Sequence, residues 1–248
     1  MLIRILFLIL IFLSEILYMN NIIKDFGLFA RDCNVPTTTL ESYAKKNNAR
    51  IIDSYIEPTI IEERTLNATQ ISVFSRLFME RILFLGDEID STVANIINAQ
   101  LLYLESTNPN KDVTLYINSP GGCVTSGLSI YDVMKFIKCD IRTTCIGMAA
   151  SMGAVLLSSG SKGKRDSLQH SSIMIHQPLT GSGMVQATDF EIKYKELEKC
   201  KSSLYGILSE NTGKSVQEIT DACDRDNWFT ATEAVEFGLI DNVITPKK

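Results

Sequence analysis

The stretch DVTLYINSPGGCVTSGLSIYDVMKFIKCDIRTTCIGMAASMGAVLL, residues 112–157, decides the fold. Its first seven residues, DVTLYIN, gather Val, Thr, Leu, Tyr and Ile into one short run, the composition of a strand. Ser119-Pro-Gly-Gly is a turn signal, and a helix is expected after it, through Ile137. Ile141–Ile146 reads as the next strand, and small residues open a second helix near Ala150–Ser159. Strand, turn and helix, repeated in this order, build parallel strand pairs with helical crossovers.

The same alternation continues outward. Ile82–Leu85 reads as a short apolar strand. Ser91 is placed to cap a helix in which Val93, Ile96, Ile97, Leu101 and Leu104 recur at helical spacing. Ser172–His176 predicts another strand. Three S/T-x-x-E capping boxes follow. Thr188 with Glu191 opens a long helix carrying Phe190, Tyr194, Leu197, Leu204 and Leu208 on one face, with Gly213 beyond its end. Ser215 with Glu218 and Thr230 with Glu233 each open a short helix, and Gly238 stops the last. Leu239–Ile244 closes as a strand. No internal repeat and no second core interrupt this order, so residues 58–248 predict a single α/β domain.

The N-terminus is different. Among residues 1–18 only Arg4, Ser14 and Glu15 are not apolar, and the run Ile5–Leu13 is too short to span a bilayer. Three readings fit this apolar leader: a mis-assigned start with true initiation near Met19, a targeting leader or short anchor, and a folded amphipathic element. No small-x-small cleavage site follows it. Residues 19–57 read as a flexible N-terminal extension and axial region.

Composition narrows the function classes. The 248 residues are 45% hydrophobic and 21% charged, which excludes collagenous, disordered and polytopic membrane classes. The net charge of −5 carries no basic surplus, so nucleic acid is not the expected partner. The six cysteines form no CxxC and no tight cluster, so they read as small buried side chains of a reduced, cytoplasmic protein. Neither a metal nor a cofactor is expected.

Four segments can carry chemistry. Gly147-Met-Ala-Ala-Ser151-Met-Gly153 places a serine at a strand-to-helix junction, where it is either a helix cap or a hydroxyl exposed beside free backbone N–H groups. It is not a G-x-S-x-G elbow, because Ala149 holds the first glycine position. His176, one of only two histidines, is either a satisfied strand residue or a base; His170 lies in a polar run and reads as a surface residue. Asn118-Ser-Pro-Gly121-Gly122 is a glycine turn without the G-K-[ST] ending of a phosphate loop, and it permits close approach of another chain. Asp224-Arg225-Asp226, by itself, is an ordinary solvated charge cluster.

Taken together, FSRLFMERILFLG (74–86), YINSPGG (116–122), SIYDVMKFIK (129–138), GMAASMGAVLL (147–157), KGKR (162–165), IMIHQP (173–178), QATDFEI (186–192) and DRDNWFTATEAVEFGLID (224–241) resemble the Clp protease proteolytic subunit family, serine peptidases of bacteria and organelles. The resemblance implies Ser151 as nucleophile, His176 as general base and Asp226 as the carboxylate that orients it. It implies backbone N–H groups of Gly121 and Met152 as an oxyanion hole. It implies Gly122, Cys123, Val124 and Gln177, Pro178, Leu179 as two strands that hold an extended peptide. The implied fold is the crotonase-type ββα superhelix with a long protruding handle helix. The implied assembly is a homo-oligomer of two stacked heptamers, a tetradecamer, fed with unfolded polypeptides by an AAA+ unfoldase ATPase of the Clp type. Arg225 of one ring is expected to pair with Asp224 of the other. One segment departs from the family pattern: Leu179–Gln186 has Thr180 in place of the first glycine and is one residue longer.

Rival readings come from other classes. A crotonase-type acyl-CoA enzyme shares the implied fold but does not need a serine and a histidine together. A Ser-Lys membrane peptidase would use Lys162 or Lys164 as base. A non-catalytic ring subunit would only bind a partner ATPase.

Overall fold

The computed structural model describes residues 59–64, 67–181 and 186–245. The leader expected at 1–18, the extension at 19–57 and part of the altered loop after Thr180 lie outside these residues. Two short antiparallel strands come first, β1 (Thr59–Arg64) and β2 (Asn67–Ser72), paired from Thr59 with Ser72 to Arg64 with Asn67. Helix α1 (Val73–Met79) follows at once, its first turn capped by the Ser72 hydroxyl, which accepts from the Phe74 N–H.

Among the described residues the main sheet has seven strands. Five of them run in the order β3 (Ile82–Leu85), β4 (Val113–Ser119), β5 (Ile141–Ala150), β6 (Arg165–Leu168) and β9 (Asn242–Ile244), all parallel. The other two, β7 (Ser172–Ile175) and β8 (Asn227–Thr230), form a branch: β7 runs parallel to the end of β5, and β8 lies antiparallel to β7. Helices α2 (Ser91–Thr107), α3 (Val124–Phe136) and α4 (Met152–Ser158) cross between strands. After β7 come α5 (Ala187–Thr212) and α6 (Val216–Ala222), and α7 (Ala231–Phe237) joins β8 to β9.

Burial explains the order. Strands β3 and β4 alternate, with Leu83, Leu85, Val113, Leu115 and Ile117 turned into the core. Helix α2 meets them with Ala94, Ile97, Leu101 and Leu104, a spacing that puts one stripe inward. Every residue of α4 is buried, which accounts for its small and apolar sequence, Met-Gly-Ala-Val-Leu-Leu-Ser. The two capping boxes at Ser215/Glu218 and Thr230/Glu233 form as read, and Gly213 and Gly238 end α5 and α7 in the left-handed conformation. Two starts differ. Asp90, not Ser91, caps α2, its carboxylate accepting from the Val93 N–H at 2.8 Å. Helix α5 begins at Ala187 behind Gln186, with no side-chain cap, so Thr188 lies inside the first turn.

One buried cation ties the C-terminal elements together. Arg165 is 5% exposed, and its guanidinium forks onto Asp241 at 2.9 and 2.5 Å. It also donates to the carbonyls of Asn211 and Gly238, at the ends of α5 and α7, at 2.8 and 3.1 Å. Burial alone would raise the Asp241 carboxyl, but the Arg165 hydrogen bonds and charge outweigh it and hold the group below its ordinary value. A carboxylate depressed in the folded state stabilises above its unfolded pKa of about 3.9, and that stabilisation is lost as pH falls through the lower folded value. Asp241→Asn is therefore expected to cost about 3–5 kcal/mol at neutral pH by stranding the buried guanidinium. Urea midpoints measured against pH should show a smaller acid-induced loss below pH ~4 in this variant than in the parent.

Candidate active site

The site sits where β5 forks. The strand begins by pairing with β6, Thr143 to Arg165 through Cys145 to Ser167, and ends by pairing with β7, Met148 to Ser172 through Ala150 to Met174. Gly147 lies between the two halves with φ of 91°, a backbone angle that suits glycine. A Cβ there would also stand 2.8 Å from the side-chain oxygen of Asn118, which accepts the Met148 N–H. On the other side the Ser171 hydroxyl accepts the Gly147 N–H at 3.0 Å and donates to the Cys145 carbonyl at 3.1 Å. These two polar side chains hold the switch from one partner strand to the next.

Register then delivers three side chains to one point. Ser151 follows β5 directly, and its N–H donates to the Met174 carbonyl of β7 at 2.8 Å. Ile175 pairs with Asn227 across the antiparallel β7–β8 ladder, so the next step outward sets His176 beside Asp226. His176 Nε2 lies 2.9 Å from Ser151 Oγ, and His176 Nδ1 lies 3.0 Å from Asp226 Oδ1. The imidazole is largely enclosed, while the Asp226 side chain is 65% exposed in the single chain. Ser151 itself has φ of 53° and ψ of −121°, a strained turn for a residue with a Cβ. Such a conformation costs on the order of 1–3 kcal/mol and persists only where its surroundings impose it. Here the fully buried α4 imposes it from one side and the β5–β7 pairing from the other.

The donors around Ser151 correct one expectation. The Gly121 N–H donates to the Ser119 hydroxyl at 3.1 Å, so it is already occupied. The neighbouring Gly122 N–H has no partner among the described residues, although Gly122 is pinned against Ile89 by a parallel bridge. The Met152 N–H opens α4 and belongs to the first turn, whose donors have no helical acceptor. The free pair beside the Ser151 hydroxyl is thus Gly122 and Met152, not Gly121 and Met152.

A cleft of about 200 Å³ opens from Ser151 and His176. Gly122 and Val124 form one side, Pro178 and Leu179 another, and Leu204, Tyr205 and Leu208 of α5 the far wall. The two segments expected as peptide-holding strands differ from each other in conformation. Cys123 is the N-cap of α3 and Val124 its first residue, so only Gly122 of that segment is paired as strand. Gln177, Pro178 and Leu179 continue past β7 without a strand partner, fixed by the Gln177 N–H on the Cys223 carbonyl at 2.7 Å and by its amide on the Asp224 carbonyl at 2.9 Å. Leu179 is 78% exposed. The reading of residues missed Tyr205 and Ser171, and took Asn118 only as the start of a glycine turn. Tyr205 lies beside the expected apolar stripe, and the other two are polar residues whose partners are distant in sequence.

The other candidates fall elsewhere. Lys164 Nζ pairs with Asp112 at 2.6 Å and Asp140 at 2.8 Å, before the starts of β4 and β5. Ser151 follows the opposite end of β5, a ten-residue strand that spans roughly 30 Å. Lys162 belongs to the same distant turn as Lys164, so neither lysine meets the serine. His170 lies in the exposed turn between β6 and β7. Among the cysteines, Cys139, Cys145 and Cys223 are buried, whereas Cys123 is exposed and its thiol is lowered, chiefly by the Ser126 backbone hydrogen bond. Burial pushes the Cys145 and Cys223 thiols up to about 11 and about 12. Cys33 lies outside the described residues. Among the described residues no group of side chains could hold a metal ion, and no helix is long and apolar enough to cross a membrane.

A serine hydroxyl, an imidazole and a carboxylate in line, beside two unpaired N–H groups, define a constellation able to run acyl transfer through a covalent serine intermediate. Known proteins place the chain in a family. The profile of the Clp protease family matches residues 65–247. The ATP-dependent Clp protease proteolytic subunit of Porphyromonas gingivalis is 54% identical over 205 residues, covering 83% of this chain and 92% of that protein. The proteins of the same name from Bacteroides fragilis and Bacteroides thetaiotaomicron are 51% and 52% identical, covering 97% and 87% of their own lengths and 83% and 78% of this chain. The chain belongs to the Clp protease family and is a peptidase. Ser151 is expected to be the one serine acylated by a fluorophosphonate, as read by peptide mass spectrometry; label on another serine would refute its assignment.

Proposed function

We propose that this chain is the proteolytic subunit of an ATP-dependent protease, a serine endopeptidase that cuts unfolded polypeptides to short peptides. The observation that carries the reading is the unbroken line from Ser151 Oγ through the His176 ring to Asp226. A serine hydroxyl is a poor nucleophile at its own pKa and needs an adjacent base. His176 Nε2 takes the proton as Ser151 Oγ attacks the peptide carbonyl, then returns it to the leaving amine. Asp226 holds Nδ1–H and stabilises the imidazolium. The Gly122 and Met152 N–H groups receive the developing oxyanion. Gly122, Cys123, Val124 and Gln177, Pro178, Leu179 flank the cleft in which the extended peptide lies. No metal or cofactor has a part in these steps.

The finer architecture in this reading is the crotonase-type ββα superhelix, with residues 58–248 as the peptidase domain and α5 as its handle. The first half of α5 supports this: Phe190 and Tyr194, one turn apart on one face, are exposed on the single chain, while Leu204 and Leu208 near its end are buried. An apolar face left in water asks for a partner, and a second copy of this chain in a stacked heptamer would cover it. Arg225 and Asp224 sit side by side at 3.7 Å, both highly exposed, and are free to pair across such a contact. A sealed chamber of this kind, in the cytoplasm, would take its chains from an AAA+ unfoldase ATPase. The Ser-Lys rival loses its support in the distant ion pairs of Lys164. The acyl-CoA and non-catalytic rivals give no account of the serine–imidazole contact.

Asp226→Asn separates this mechanism from a merely structural carboxylate. Turnover of a fluorogenic short peptide should fall by about three to four orders of magnitude while the fold is kept, because the amide favours the wrong imidazole tautomer. Near-parental turnover in this variant would remove Asp226 from the mechanism.

A further inference from the structure

Two consecutive glycines carry one donor of the oxyanion pair, and both have positive φ, 94° at Gly121 and 145° at Gly122. Glycine backbone reorients easily, so the direction of this donor must be imposed from outside. Three hydrogen bonds impose it, one on each successive peptide unit. The Gly121 N–H donates to the Ser119 hydroxyl at 3.1 Å, and the Gly121 carbonyl accepts the Ile89 N–H at 2.7 Å. The Cys123 N–H donates to the Ile89 carbonyl at 2.8 Å. In a planar trans unit the C=O and N–H point to opposite sides, so the Gly121 carbonyl on Ile89 turns the Gly122 N–H away from Ile89. Two of these three bonds are backbone to backbone, and Ser119 supplies the only side chain among them. Ser119 is fully buried at the end of β4, and its hydroxyl also donates to the Asp87 carbonyl at 2.7 Å. One hydroxyl thus ties the glycine turn to the same short segment, Asp87–Ile89, that holds the other two peptide units.

We infer that Ser119 is a positioning residue for the reaction: its hydroxyl sets the glycine turn so that the Gly122 N–H is presented to the oxyanion. This rests on the proposal that Ser151 is the nucleophile, since the oxyanion forms only when that hydroxyl attacks. Removing the Ser119 hydroxyl frees the Gly121 N–H and the Asp87 carbonyl together. The peptide unit before Gly121 then loses the bond that holds it, and glycine offers little resistance to its rotation. The next unit carries the Gly122 N–H and turns with it. Charge on the substrate oxygen develops in the transition state and is small in the bound peptide, so the loss falls on kcat and spares KM. A serine that merely filled its buried site would lower stability and leave the donor in place.

The test measures inhibition of the full chain by a peptide aldehyde and by the matching peptide alcohol. Ser151 Oγ adds to the aldehyde carbon, the serine proton passes to His176, and the carbonyl oxygen becomes the oxyanion. The alcohol occupies the cleft without forming one. Ser119→Ala should weaken the aldehyde at least about tenfold, short of the roughly 100- to 1,000-fold cost of losing a donor outright. The alcohol should bind the variant as it binds the parent, and kcat on a fluorogenic short peptide should fall with the aldehyde affinity while KM holds. Ser119→Cys keeps a weaker hydrogen-bonding group in nearly the same space, so its aldehyde affinity should fall between parent and alanine variant. It decides alone, by the same comparison with the parent, if the alanine variant does not fold. An aldehyde-to-alcohol ratio unchanged from the parent would overturn the inference and leave the peptidase reading intact. Absence of hydrolysis in the parent, with no acylation of Ser151, would instead overturn the peptidase reading and this inference with it.

Discussion

The structure depends on one strand changing partners. β5 pairs with β6 in its first half and with β7 in its second, and the change happens at Gly147. From there the sheet becomes a branch of β7 and β8 that is separate from β6 and β9. Without the fork, the residue after β5 would continue alongside β6, and the antiparallel β7–β8 pair would have nothing to lean on. With it, backbone register alone brings residues 151, 176 and 226 to one place. The serine follows a parallel ladder, and the histidine and aspartate extend an antiparallel one by one pair. A slip of one residue in either ladder would turn these side chains to the opposite face.

The alignment of the serine, histidine and aspartate is therefore inherited from hydrogen-bonded strands, while its strain is met by the core. Ser151 occupies a costly backbone conformation, and the seven residues after it are all buried. Burying Met152, Val155, Leu156 and Leu157 contributes about 1.5–3 kcal/mol for each large side chain, which comfortably exceeds the strain at a single residue. Small residues make this packing possible. A Cβ at Gly127 would stand 2.3 Å from the Met152 methyl and 3.2 Å from its Cγ, so a side chain there would make Met152 shift.

What was legible in the sequence was local. The strand-turn-helix order of residues 112–157 needed only composition and turn chemistry, and the boxes at Ser215 and Thr230 are complete within four residues. β6 and β8 were not legible. RDSL and NWFT are four residues each, without alternation, and exist as strands because distant partners pair with them. Asp226 reads as a solvated charge for the same reason: its partner is fifty positions away. The family resemblance supplied that link before the geometry did. It also named Gly121 as a donor, and there the difference came from a hydroxyl two residues back. Ser119 turns inward and takes the Gly121 N–H, which leaves Gly122 as the open one. Thr188 has no capping role because the helix already begins at Ala187, one residue before it.

The central claim is that Ser151 and His176 act on one bound peptide. A peptidyl chloromethyl ketone tests it most directly, since serine addition to the ketone positions the chloromethylene carbon for displacement of chloride by the imidazole nitrogen. Peptide mass spectrometry of the inactivated full chain should find His176 alkylated, and Ser151→Ala should abolish that alkylation. Alkylation at the exposed Cys123 in place of His176, or alkylation of His176 that persists in Ser151→Ala, would contradict the account.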